Sequence, residues 1–121
     1  MALKMYILIR DDVDLGHAIL AAAHGSLGGY LTFVEPQLSN DPSIKEKFES
    51  NLTKLNTMEW VKNSFRKVVC RVTPTEFEKA KTYNLTYRVI TESGLGGMET
   101  ALVFAPTLDW PPFFKSLKLY K

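Results

Sequence analysis

The chain has two histidines, His17 and His24, seven residues apart in a segment whose spacing of small residues predicts a helix. Seven residues is about 10.5 Å of helical rise, so both rings lie on one face but cannot close on one metal ion as an i, i+4 pair can. His17 falls in the first turn, where the positive helix end favours a neutral ring able to accept a proton. It is a candidate general base or substrate contact, or else a plain helix-start residue. His24-Gly25-Ser26-Leu27-Gly28 differs from the G-x-S-x-G nucleophile elbow by a histidine at the first glycine. Ser26 would sit in mid-helix, without the strained strand-to-helix turn that exposes a serine nucleophile. Asp11, Asp12 and Asp14 gather at a predicted strand-to-helix turn, a position where α/β folds bind ligands. Three carboxylates there would repel phosphate; they can hold Mg²⁺, or simply cap the helix and face solvent.

Ser93-Gly94-Leu95-Gly96-Gly97, flanked by Glu92 and Glu99, can let a backbone approach a ligand or serve as a mobile lid. It has neither the P-loop lysine nor the dinucleotide fingerprint. Cys70 is the single cysteine, which excludes an internal disulfide and a zinc cluster built on thiolates. Within a predicted strand it packs as a small apolar residue. No metal and no cofactor is expected.

The elements that must position these residues alternate along the chain. Lys4–Arg10, KMYILIR, is a nearly continuous apolar run and predicts a strand buried on both faces. Asp14 is a candidate N-cap for a helix from Leu15 to about Phe33. Ala18, Ala21, Ala22, Gly25, Gly28 and Gly29 recur there at three- and four-residue spacing, a stripe that lets a helix lie close to a sheet. Each glycine costs roughly 1 kcal/mol of helix propensity, which close packing must offset. Glu35–Pro42 is a turn-rich break, and Ser43 to about Asn63 predicts one or two surface helices with Phe48, Leu52, Leu55 and Trp60 inward. Arg66–Val72 is a second strand. Thr73 with Glu76 three residues later is a helix start, running to about Tyr83. Tyr87–Thr91 and Thr100–Ala105 complete four strands around the glycine-rich loop, and a short helix follows around Phe113–Leu117. The expectation is a single domain over residues 1–121, an α/β sandwich of three layers on a partly parallel sheet.

Composition bounds the rest. With 121 residues, 45% apolar and 23% charged, the chain suits one globular domain and excludes disordered and collagen-like classes. No apolar run approaches the ~20 residues of a membrane span. The N-terminus shows no secretory signal pattern, so a reducing, cytoplasmic setting is expected. Net charge is +2, but residues 1–50 hold four Lys/Arg against seven Asp/Glu and residues 51–121 eleven against six. Lys62, Arg66 and Lys67 cluster in the second part, and Lys115, Lys118 and Lys121 close the chain. Such asymmetry suits either one face turned to a polyanion or an ordinary solvated surface.

The order of segments, and the motifs L-G-H-x-x-x-A-A-A-H-G-S-L-G-G-Y, K-V-V-C-R-V, T-E-S-G and E-T-A-L-V-F-A-P, resemble the type 2 peptidyl-tRNA hydrolase family from Lys4 to Leu119. That resemblance implies a four-stranded mixed sheet flanked by helices and a metal-free esterase that cleaves the bond between a peptide and the terminal ribose of tRNA. It makes tRNA or peptidyl-tRNA the expected partner, and, because several members act as homodimers, a second copy of this chain a candidate one. Carried across, the family's D-A-G turn corresponds to Glu92-Ser93-Gly94, its last-strand threonine to Thr100, and its S-H-A to Ala23-His24-Gly25. Where the family opens its first helix with a glycine beside lysines, this chain has Leu15-Gly16-His17, and no lysine occurs between Arg10 and Lys45.

Ester cleavage needs a base for the attacking water and donors for the oxyanion. The resemblance implies Glu92 with His17 as base, and Thr100 or glycine-loop N–H groups as donors. His24, Gly94, Gly96, Lys62, Arg66 and Lys67 then become substrate contacts. The lost lysine supports an alternative: a catalytically degenerate member of the fold that binds RNA, a nucleotide or a protein.

Overall fold

A computed structural model of the chain describes residues 3–35 and 51–121. Its order is β1 (Lys4–Arg10), α1 (Leu15–Gly29) continued by a π-helical turn (Tyr30–Val34), α2 (Asn51–Lys62), β2 (Arg66–Val72), α3 (Pro74–Ala80), β3 (Tyr87–Glu92), β4 (Met98–Phe104) and α4 (Pro112–Lys115). The four strands form one mixed sheet in the order β2-β1-β4-β3. β1 pairs parallel with β2 and antiparallel with β4, and β4 is antiparallel to β3. β1, β2 and β3 therefore run the same way, and their C-terminal ends share one edge of the sheet with the start of α1.

β1 is central, and Met5 to Ile9 are all buried, as its unbroken apolar run requires. Alternation along the strands divides the core in two. Met5, Ile7, Ile9, Ala101 and Val103 meet α1, Phe33 and Trp60 on one face. Tyr6, Leu8, Leu102 and Phe104 meet α3, Trp110 and α4 on the other. On that second face Tyr6, Phe104, Trp110 and Phe114 form a ring cluster with centroids 4.5–6.1 Å apart.

The glycine stripe is what sets the distance of α1 from the sheet. A Cβ at Gly25 would stand 3.1 Å from Ile7 Cγ2, one at Gly28 3.1 Å from Ile90 Cδ1, and one at Gly29 2.9 Å from Met5 Cε. Asp14 caps α1 by accepting from His17 N at 2.9 Å. Thr73 and Glu76 form the expected capping box, with Thr73 N donating to Glu76 Oε1 at 2.8 Å and Glu76 N to Thr73 Oγ1 at 3.1 Å.

Several boundaries shift. α3 stops at Ala80 rather than Tyr83, where the Thr82 hydroxyl takes the Lys79 carbonyl at 2.6 Å and diverts the ladder. β4 begins at Met98, two residues earlier than expected, because Glu92 and Thr91 of β3 still pair with Met98 and Glu99. Ser93–Leu95 is a 3-10 turn, and the short last helix spans Pro112–Lys115. The predicted break beyond Glu35, the part of the predicted surface helices over residues 43–50, and Phe48 lie outside the described residues, as do the side chains of Leu52 and Leu55. Trp60 is buried as expected, its indole N–H donating to Arg66 O at 2.8 Å. No helix among the described residues is long and apolar enough to cross a membrane.

Candidate functional site

His17 and Glu92 come together at the edge where β1 and β3 end. The strand-to-helix turn after β1 lifts Asp14 to the N-cap of α1 and sets His17 three residues on. At that spacing the N-cap and third helical residues face each other, the geometry that builds a capping box when the latter is Glu. Here the imidazole occupies that place. His17 Nδ1 lies 2.9 and 2.8 Å from the two Asp14 carboxylate oxygens. A carboxylate only accepts, so Nδ1 carries the hydrogen and Nε2 of the neutral ring is the acceptor. The His17 main-chain N–H, then its side chain, hold the Asp14 carboxyl below its usual 3.8. The sequence marks Asp14 as a cap or, with Asp11 and Asp12, as a candidate Mg²⁺ ligand; its role as the partner that fixes the His17 tautomer follows from the same three-residue spacing.

Glu92 closes β3 and caps the 3-10 turn. Its Oε1 accepts from Gly94 N at 3.0 Å, and its Oε2 lies 3.7 Å from His24 Nε2. A Cβ on Gly94 would stand 3.3 Å from Glu92 Oε1 and 3.7 Å from His17 Nε2. The imidazole nitrogen and the carboxylate thus flank the bare Cα of Gly94, separated by no more than the sum of those two distances. His24, two turns along α1, lies near the second oxygen of the same carboxylate. His17, His24, Glu92 and Gly94 are therefore brought together, as sequence reasoning grouped them, with Asp14 added.

Three expected participants stand differently. Thr100 is 1% exposed, and its hydroxyl is 3.4 Å from the Ile90 carbonyl. It is the extra residue of a β-bulge: Ile90 pairs with Ala101 and Thr91 with Glu99, leaving Thr100 without a partner in the ladder. The glycine-loop amides are also engaged, with Gly94 N on Glu92 Oε1, Gly96 N on Ser93 O at 3.2 Å and Gly97 N on Glu92 O at 3.0 Å. Gly96 and Gly97, at φ +68° and +83°, fold the turn back in a left-handed conformation that a side chain would strain. Lys62, Arg66 and Lys67 lie at the opposite edge, where β2 begins and Arg66 pairs with Lys4. Seven strand residues separate the two edges, about 20 Å, so these cations cannot touch a bond held at His17. Lys67 instead sits 3.4 Å from the centroid of the Phe65 ring, and burial lowers its pKa.

The remaining candidates fall out of the site. Ser26 is inside α1 and not on a strained turn. Arg10 takes Asp12 as a two-pronged partner at 2.6 and 2.9 Å, and among the described residues no group of three His, Cys, Asp or Glu side chains is arranged to hold a metal. Cys70 is buried, its thiol pushed up to about 11 by burial and by the nearby Glu76 charge. No protein-family model matches the chain, and no curated protein matches it significantly.

Proposed function

We propose that the chain is a peptidyl-tRNA hydrolase-like esterase with a type 2-like fold, hydrolysing the ester between a peptide and the terminal ribose of tRNA. The observation that carries this reading is the His17 imidazole, tethered through Nδ1 to Asp14 and aimed through Nε2 at the Glu92–Gly94 turn. An imidazole oriented by a carboxylate is a general base in waiting: Nε2 takes a proton from water as the oxygen attacks the ester carbonyl, and the carboxylate stabilises the cation that forms. Glu92 positions the turn through Gly94 N and sets His24 beside it, where the Nε2 side of that ring can donate to developing negative charge. His17 is the residue of this segment that could take the role of the family's opening lysine, and the order of segments from Lys4 to Leu119 supports the choice of substrate.

The test is release of free tRNA from N-blocked peptidyl-tRNA by the purified protein. His17→Ala is expected to cut turnover by about 10²-fold or more, the usual worth of a positioned base. Glu92→Gln, which keeps the Gly94 contact and loses the charge facing His24, is expected to cut it less than His17→Ala. Full activity of His17→Ala would overturn the mechanism. Absence of turnover with retained tRNA binding would leave the second reading, a degenerate binding module, which the buried Thr100 hydroxyl and the self-engaged loop amides favour.

A further inference from the structure

The two edges of the sheet are finished differently. β2, at one edge, is covered by the chain's own end: Arg71 N donates to Lys118 O at 2.9 Å and Tyr120 N to Val69 O at 2.9 Å. β3, at the other, pairs among the described residues only with β4. An edge left with unpaired N–H and C=O groups is a template for another strand.

Beside that edge runs a groove of about 290 Å³, walled on the helix side by His24, Leu27, Gly28 and Leu31. Its other wall is the four consecutive residues Arg88 to Thr91. Successive strand residues point to opposite faces, so a wall made of four in a row is the main-chain edge itself. Leu27 and Leu31 are 59% and 45% exposed, which leaves apolar surface over the edge. At one end His24 faces Glu92 at 3.7 Å, so the groove opens into the catalytic turn. At the other end Arg88 Nη1 donates to Thr32 Oγ1 at 2.8 Å and Gly28 O at 3.4 Å, both uncharged. Neither acceptor neutralises the guanidinium.

We infer that this groove takes the peptide part of the substrate as an added strand, parallel to β3, with its ester-bearing end at His17 and Glu92 and its N-terminal end at Arg88. Direction follows from chemistry. The ester is on the peptide's C-terminal carbonyl, so the chain must run toward Glu92, as β3 does. Five residues from Arg88 to Glu92 span about 16 Å, room for four or five peptide residues. Main-chain hydrogen bonds to β3 accept any sequence, and Leu27 and Leu31 take side chains on the α1 side. The Arg88 charge favours an acyl-blocked or acidic N-terminal end over a free ammonium. Identifying the occupant as the acyl part of a peptidyl ester rests on the hydrolase reading.

The experiment titrates the ¹⁵N-labelled full chain with acetylated apolar peptide amides of one to six residues, the amide standing for the ester. Saturable shifts are expected at the amides of Arg88 to Glu92 and of Leu27 and Leu31. Affinity should climb up to four or five residues and then level off. In an added strand only alternate residues face the edge, so N-methylation of one alternate set should weaken binding about tenfold or more, and of the other set little. A free N-terminus should bind more weakly than the acetylated one. Leu31→Asp, at an exposed position that leaves the fold intact, should weaken binding about tenfold. Shifts centred elsewhere, no dependence on length, or equal effects of both N-methyl sets would overturn the strand-addition groove. Because peptide binding is read without hydrolysis, the two readings fail separately. Bound peptide without tRNA release sinks the hydrolase alone, and tRNA release without shifts at β3 sinks the groove alone.

Discussion

His17 sits three residues after Asp14, and that spacing makes one carboxylate serve both the helix end and the imidazole. The contact has a pH signature. The Asp14 carboxyl is held below its usual range by the His17 main-chain N–H and ring, and Asp12 by the Arg10 guanidinium. A carboxyl depressed in the folded state adds stability above its unfolded pKa and loses it as pH falls through the folded one. Unfolding by denaturant should therefore show stability falling as pH drops below about 5, and Asp14→Asn should flatten part of that fall. At pH 7 the same variant should lower tRNA release, because an amide that presents its NH₂ to Nδ1 no longer fixes the tautomer. An Asp14→Asn profile that matched wild type in both respects would mean the 2.8 Å contact has no energetic weight. Cys70 belongs to the same scale. With its thiol near 11, it should resist a thiol reagent at pH 8 in the folded protein and react at once in denaturant.

At the scale of the element, α1 is a helix whose glycines are chosen by its neighbours. Gly29→Ala drives a Cβ to 2.9 Å from Met5 Cε and 3.1 Å from Val103 Cγ2. Met5 ends in a flexible methyl that can give, whereas Val103 is β-branched and cannot, so a loss of about 1–3 kcal/mol is expected. Gly16→Ala is the contrast: its Cβ meets only Asp14 Oδ1 at 3.5 Å, and helix propensity should leave stability equal or up to about 1 kcal/mol higher. Both are checked by denaturant unfolding, and a Gly29→Ala protein as stable as Gly16→Ala would disprove the close approach of α1 to β1 and β4. Helix boundaries at Asp14 and Thr73 were legible because caps are local chemistry. The end of α3 was not, because the Thr82 hydroxyl takes over a backbone carbonyl there. The start of β4 was set by its partner strand rather than by its own residues.

For the whole molecule, the site and the basic cluster occupy opposite edges of the sheet. If tRNA is the partner, its reacting end lies at His17 while Lys62, Arg66 and Lys67 meet phosphates some ~20 Å away by the strand count. Changing these three to alanine should then weaken tRNA binding for all sequences alike and lower the slope of log K against log salt by roughly 2–3, with turnover of saturated enzyme kept. An unchanged salt slope would remove the cluster from the interface.

The opening strand, the capped helices, the glycine stripe and the count of four strands were set by the sequence alone, since each rests on contacts within a few residues or on a period of two or 3.6. Grouping His17 with Glu92 came from resemblance, as nothing local ties two positions so far apart in the chain. Tertiary structure decided the rest. The bulge in β4 turned Thr100 to a main-chain carbonyl, the fold-back of the glycine turn used its own amides, and the parallel pairing of β2 with β1 put Lys62, Arg66 and Lys67 at the opposite end of the strands. It also laid the chain's own end along β2, while β3 pairs among the described residues only with β4. Which strand is an edge, and which end of it meets a helix, are properties of long-range pairing, and no period along the chain encodes them.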